Sequence, residues 1–179
     1  MGRSRYKILD DRYPYFITSS IVEHYNILKF PNFRDIIING LNFLTKERDI
    51  EINAYVIMHD HFHLIAKGED LGIHMARFKS YTARRILDAL DERHLKEWLE
   101  KFRAAKRSHK KDREHQLWME GIHPKQIMSH KMMEQKINYI HHNPVKAGLV
   151  EKGSDWKFSS WGDYNGDSTG LVEVTIFCG

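Results

Sequence analysis

Residues 50–67 read IEINAYVIMHDHFHLIAK, and their pattern decides the fold. Ile50 to Met58 and His61 to Lys67 are strand-length runs rich in apolar and β-branched residues, with Met58-His59-Asp60 near their junction. Residues two apart on a strand point to the same side, so His61 and His63 project together while Phe62 turns to the opposite face. His59 lies on the same side again, as a neighbour or a spare ligand. Upstream, Tyr13 to Val22 (YPYFITSSIV) reads as a first strand. Pro31 and Asn32 then open a helix in which Phe33, Ile36, Ile37, Leu41 and Leu44 form one buried stripe up to about Arg48. Downstream, Gly68 to Gly72 is a turn, and a second helix follows with Ala76, Ser80, Ala83, Leu87 and Leu90 as its inner face. Gln116 to Ile122 is a fourth short strand anchored by Trp118. Met132 to His142 is a last helix stopped by Pro144, because the residue before proline disfavours the α region. Strand, helix, strand, strand, helix, strand is the order of an α+β domain in which an antiparallel sheet carries helices on one face.

A chain of 179 residues with 41% apolar content is expected to form one domain with a real core. Within it, about 91–114 reads as a charged insertion, a helix and then a basic loop, and about 154–179 as an aromatic tail lying on the domain. The formal charge of +4 and a pI near 9.1 permit a polyanionic partner without demanding one. No apolar run approaches the ~18 residues of a membrane span. Met1 to Asp11 is polar and basic with no apolar segment after it, so no secretory signal is expected and the reading is cytoplasmic. A single cysteine, Cys178, excludes an internal disulfide and a multi-thiolate zinc site.

Two imidazoles on one side of a strand can share a divalent ion, each through a neutral nitrogen. They cannot complete a site alone, so another donor must come from elsewhere in the fold. Tyr139 and Asn143 are four residues apart, which places them on one helical face about 6 Å from each other. Asn143 offers a hard carbonyl oxygen as a third ligand, and Tyr139 stands one turn back. The core stripe of that helix is Met133, Ile137 and Ile140; Tyr139 falls beside it, so burial does not explain the phenol. Lys136, one turn earlier, is placed to act on the tyrosine or to hold a phosphate. Each pattern taken singly has an ordinary explanation, since paired histidines are often structural and Asn-Pro is a common helix stop.

The two patterns together are recognisable. AYVIMHDHFHLIA resembles the histidine-hydrophobic-histidine (HUH) segment of the single-tyrosine transposases, usually written around M-P-N-H-V-H-L. YIHHNPVKAGLV resembles the tyrosine helix of one branch, the REP-associated tyrosine transposases. Supporting similarities are the YPYFITSS strand, the LW-x-x-G-I element before the tyrosine helix, and WKFSSWGDY after it, so the resemblance runs from about Tyr13 to Tyr164.

The resemblance implies a ferredoxin-like α+β fold with an added tyrosine-bearing helix. It implies a DNA strand transferase that cuts and rejoins single-stranded or hairpin DNA through a 5′-phosphotyrosine. Tyr139 matches the catalytic tyrosine, His61 and His63 the metal-binding histidines, and Asn143 the third-ligand position; the cofactor is Mg2+ or Mn2+. Insertion-sequence relatives often work as dimers and REP-associated ones can be monomers, so the oligomeric state stays open. DNA phosphates are expected on Arg77, Lys79, Arg84, Arg85 and Lys136, and on the basic residues between Lys101 and Arg113. One departure stands out: His59-Asp60 replaces the usual Pro-Asn, removing a proline and adding a carboxylate as a ligand or a partner behind one. Two other readings remain beside the transferase, a domesticated binder of repeat-sequence hairpins and a metal-dependent hydrolase using water.

Overall fold

The computed structural model describes Ile8, residues 10–167 and residues 170–178; most of Met1 to Asp11 lies outside them. β1 (Tyr15–Ser20) leads through two short 3-10 turns into α1 (Pro31–Arg48). Proline suits the first turn of a helix, where its missing N–H would have had no partner. Phe33, Ile37, Leu41 and Leu44 of α1 are buried, as their spacing predicts. Asp49, in the left-handed conformation at φ 50°, ends the helix, and its N–H bonds the Leu44 carbonyl. The chain then enters β2 (Glu51–Ile57) and β3 (His61–Lys67).

β3 pairs antiparallel with β2 on one side and β1 on the other, and β1 pairs with β4 (Lys125–Gln126), giving the order β2-β3-β1-β4. The expected α+β sheet is therefore present, with β3 and β1 at its centre. Both of its faces are covered. Tyr15, Ile17, Tyr55, Ile57, Phe62 and Leu64 pack with α1 and α2 (Leu71–Glu92). Phe16, Ala54, Val56, Met58 and Ile65 pack with Met133, Ile137 and Ile140 of α4 (His130–Lys146). Each such aliphatic side chain contributes about 1.5–3 kcal/mol when fully buried, which holds α4 on the sheet.

Three expectations change. The inner face of α2 is Leu71, Met75, Phe78, Thr82, Ile86 and Leu90, whereas Ala76 and Ser80 are exposed. The larger side chains take the core, rotating the helix from the alanine-rich stripe. Gly40 of α1 lies so close to Phe78 that an added Cβ would sit 2.7 Å from its ring, which fixes how near the two helices come. The fourth strand is not continuous over Gln116 to Ile122. Trp118 bridges to Ile21 and Met119 N–H bonds Ser20, but the next bond along β1 joins His123 N–H to the Thr18 carbonyl. Residues 120–122 bulge out, with Gly121 at φ 72°. Lastly, α4 runs through Pro144 to Lys146. Proline removes one backbone bond, to the Ile140 carbonyl, and near the end of a helix the turn tolerates that loss. Ser129 caps the other end, its hydroxyl accepting from Met132 N–H at 3.2 Å.

α3 (Lys96–Ala104) packs against α2, with Phe102 buried. After α4 the chain returns along the free edge of β2. Ile57 N–H bonds the Phe158 carbonyl at 2.9 Å, Ser160 N–H the Tyr55 carbonyl at 3.0 Å, and Thr175 N–H the Ile52 carbonyl at 2.8 Å. The Trp156 indole donates to the Ile57 carbonyl at 3.1 Å, and the short α5 (Trp161–Tyr164) follows. His141 of α4 and the Ser160 hydroxyl are 2.9 Å apart, tying helix to tail.

Burial pushes the His141 imidazole down to about 4. The unfolded chain protonates this histidine near 6.5, so between those values the unfolded state binds more protons and stability is lost as the pH drops from 6.5 towards 4. Thermal melts of His141→Gln, which keeps a polar partner for Ser160, should show a visibly shallower loss of stability from pH 6.5 to 4 than the native chain. Equal slopes would count against a neutral, buried His141.

Candidate active site

The face of the sheet under α4 is apolar except along one row. Register sets His63 of β3 directly opposite Thr18 of β1. The Thr18 hydroxyl and His63 Nδ1 share a hydrogen bond of 2.8 Å. His63 is only 5% exposed, and its Nε2 is buried with no hydrogen-bond partner among the described residues. Burial, with the charges of His61 and Lys136 adding to it, pushes this imidazole down to about 3, so it is neutral at physiological pH. Its ring stacks on Phe16 at 5.2 Å and meets the edge of the His61 ring at 4.8 Å.

The Tyr139 ring stands 5.2 Å from the ring of His63 and 5.8 Å from that of Phe16, in edge-on geometry. At 40% exposure its side chain reaches solvent. The Lys136 ammonium lies 5.4 Å over the Tyr139 ring and 4.5 Å over Phe16, and burial followed by the charge of Lys125 lowers its pKa. Asn143, one turn past Tyr139, is 9% exposed.

Behind His61 lies Asp60. One carboxylate oxygen takes the His61 Nδ1 at 2.6 Å and the other the His24 Nδ1 at 2.6 Å. Burial raises the carboxyl pKa, but the bonds from His61 and His24 outweigh it and hold the group below the ordinary aspartate value. Among the described residues no three of His, Cys, Asp and Glu converge as a metal-binding set. Were His61 and His63 to hold an ion, a further ligand from the described residues would be of another type. An asparagine carbonyl oxygen is of that type, and the His63 Nε2, with no hydrogen-bond partner among the described residues, is available to a ligand.

No family model matches the chain. In sequence it is 27% identical over 115 residues, 62% of its length, to a Haemophilus influenzae protein provisionally named a REP-associated tyrosine transposase. The chain spans 58% of the length of that relative. In structure it superposes on a REP-associated tyrosine transposase bound to a REP hairpin, with a TM-score of 0.67 and 20% identity, covering 100% of this chain and 92% of the other. The resemblance to REP-associated tyrosine transposases holds. At that identity the structural likeness speaks for the fold, and it bears out the α+β assignment. A provisionally assigned transposase of Deinococcus radiodurans matches more loosely, at 19% identity and a TM-score of 0.44 over 79% of this chain.

The structure thus brings His61, His63, Tyr139 and Lys136 together, with Asn143 one turn along the same helix. The α2 residues fall elsewhere. Arg77, Arg84 and Arg85 are exposed on a helix that covers the opposite face of the sheet from Tyr139. Lys79, expected to meet phosphates, instead donates to the Met119 carbonyl at 2.8 Å and to the Gly121 carbonyl, bracing the bulge. The basic loop is largely paired within itself. Arg107, His109 and Lys110 gather on Glu120, while Arg103 pairs with Glu100 and Glu114. His59 turns away from His61 and rests 5.5 Å from the Trp156 ring. Thr18 and His24 escaped sequence reasoning: the only signal for Thr18 is its strand register, and His24 carries none before folding.

Thr18→Val keeps the shape of the side chain and removes the partner of a buried ring nitrogen. It should cost about 1–3 kcal/mol of stability, read as a lower urea midpoint. An unchanged midpoint would mean that the hydroxyl does not satisfy His63.

Proposed function

We propose that this protein is a metal-dependent single-tyrosine DNA strand transferase of transposase type, acting on single-stranded or hairpin DNA. The observation that carries the reading is the Tyr139 ring set 5.2 Å from His63, whose buried Nε2 has no hydrogen-bond partner among the described residues. A buried ring nitrogen left without a partner costs stability unless something binds it, and here it lies beside a second imidazole and a solvent-accessible phenol. The sequence likeness to the Haemophilus influenzae protein, and the fold shared with a transposase bound to a REP hairpin, support this choice over a generic nuclease.

His61, His63 and Asn143 would hold Mg2+ or Mn2+. Such an ion, when bound, supplies positive charge to a scissile phosphate. The residues of the chain do the rest. The Tyr139 oxygen attacks phosphorus, its proton passing to solvent; the bond to the deoxyribose 3′ oxygen breaks, and that oxygen leaves as a hydroxyl after taking up a proton. The product is a 5′-phosphotyrosine, a phosphodiester exchanged for another, which a different 3′-hydroxyl can later attack. Strand transfer then needs no outside energy source. Lys136, beside the phenol, binds phosphate as a point charge. Burial keeps His63 neutral, the form in which an imidazole can ligate metal. A hydrolase using water would have no use for Tyr139.

Tyr139→Phe should abolish the covalent protein–DNA adduct on hairpin oligonucleotides, a loss on the order of a thousandfold or more, while hairpin binding by mobility shift is retained. Chelation should abolish the adduct in the native chain, and added Mg2+ or Mn2+ should restore it. Cleavage that persists in the variant would point to a water nucleophile. A native chain that binds hairpins but forms no adduct on any of them would point to a binder alone.

A further inference from the structure

The Asp60 carboxylate is used twice, and nothing in the proposed chemistry yet explains it. The turn that carries it is clamped by the segment after β1. Ile21 N–H bonds the Asp60 carbonyl at 2.7 Å and Leu28 N–H the His59 carbonyl at 2.9 Å, while the turn closes on itself through Met58 N–H and the His61 carbonyl at 2.8 Å. The same segment delivers His24, through two successive residues, Glu23 and His24, both at φ 50°. Side chains other than glycine disfavour that conformation, and such strain persists only where surrounding structure enforces it. Here it sets the His24 Nδ1 2.6 Å from one Asp60 oxygen while the other oxygen holds the His61 Nδ1 at 2.6 Å.

A carboxylate accepts and never donates, so His61 presents a proton at Nδ1 and a lone pair at Nε2. A free imidazole in water favours the opposite tautomer. On His63 the Nδ1 is likewise occupied, by Thr18, and Nε2 is left open. In both rings Nδ1 is engaged and Nε2 is the nitrogen left over, and the ring centroids are 4.8 Å apart. Asp60 itself is not placed as a ligand, since both oxygens are taken by imidazole nitrogens and no three-residue acidic or histidine set converges there among the described residues.

We propose that Asp60, oriented by His24, is a positioning residue that locks His61 in the Nδ1–H tautomer and so aims its Nε2 at the divalent ion. The inference rests on reading His61 and His63 as metal ligands. An asparagine at position 60 could accept from one imidazole only and would offer its amide hydrogens to the other. The geometry therefore calls for a carboxylate and His24 together.

The test uses the full chain without DNA, with 15N-labelled histidine. Long-range proton–nitrogen correlation spectra of the metal-free protein should show His61 as Nδ1–H. In Asp60→Ala that signature should be lost, with the His63 signals unchanged as a check on the fold. Mn2+ titration should show affinity weakened about 10–100-fold in Asp60→Ala, by less in the isosteric Asp60→Asn, and by only several-fold in His24→Ala. A His61 tautomer and a Mn2+ affinity that ignore Asp60 would overturn the inference alone. A native chain that binds no Mn2+ would overturn the metal reading, and this inference with it.

Discussion

β3 is buried from both sides, and the arrangement of the whole molecule answers to that constraint. Its alternation sends Phe62 and Leu64 towards α1 and α2, and His63 and Ile65 towards α4. An aliphatic side chain in either layer is simply favourable. An imidazole in the second layer is not, because its two nitrogens must find partners or cost the fold stability. Thr18 supplies one partner, and the described residues supply none for the other. The interior of the sheet thus carries a built-in deficit at the spot where the phenol of α4 arrives.

That arrival depends on ordinary packing. Met133, Ile137 and Ile140 seat α4, and the helical period then swings Tyr139 to the margin of the contact, against His63 and Phe16. The tail extends this logic. By engaging His141 and pairing with β2, it fixes the last turns of α4 in rotation as well as in position. Asn143 and Pro144 lie in those turns, so the helix that reads as broken in sequence is held straight by what is packed around it.

What the chain discloses before folding follows the range of the interactions involved. β2, β3 and α1 were legible because hydrophobic alternation and helical spacing are local signals. That His61 and His63 share a strand, and Tyr139 and Asn143 a helix, is legible for the same reason, each being a short-range pattern on one element. The inner face of α2 was misread because two overlapping stripes compete, and Phe78 and Met75 prevailed through size rather than regularity. The fourth strand was misplaced because an edge strand can expel residues 120–122 without violating any pattern of its own. The placement of Arg77, Arg84 and Arg85 could not be read at all. A helix encodes which of its sides is buried, not which layer of the sheet it will cover. His24 and Asp60 are 36 residues apart and meet only through tertiary structure.

The margins of the sheet have a consequence of their own. On one side, β4 is two residues long and the chain before it bulges at Gly121; on the other, residues 156–160 and Thr175 lie along β2 and take up outward hydrogen-bonding groups of that strand. Neither border offers the long, straight ladder of open donors and acceptors onto which a stray extended segment could add. A protein holding polar side chains inside a β layer is thereby shielded at both borders from pairing edge to edge with another extended chain.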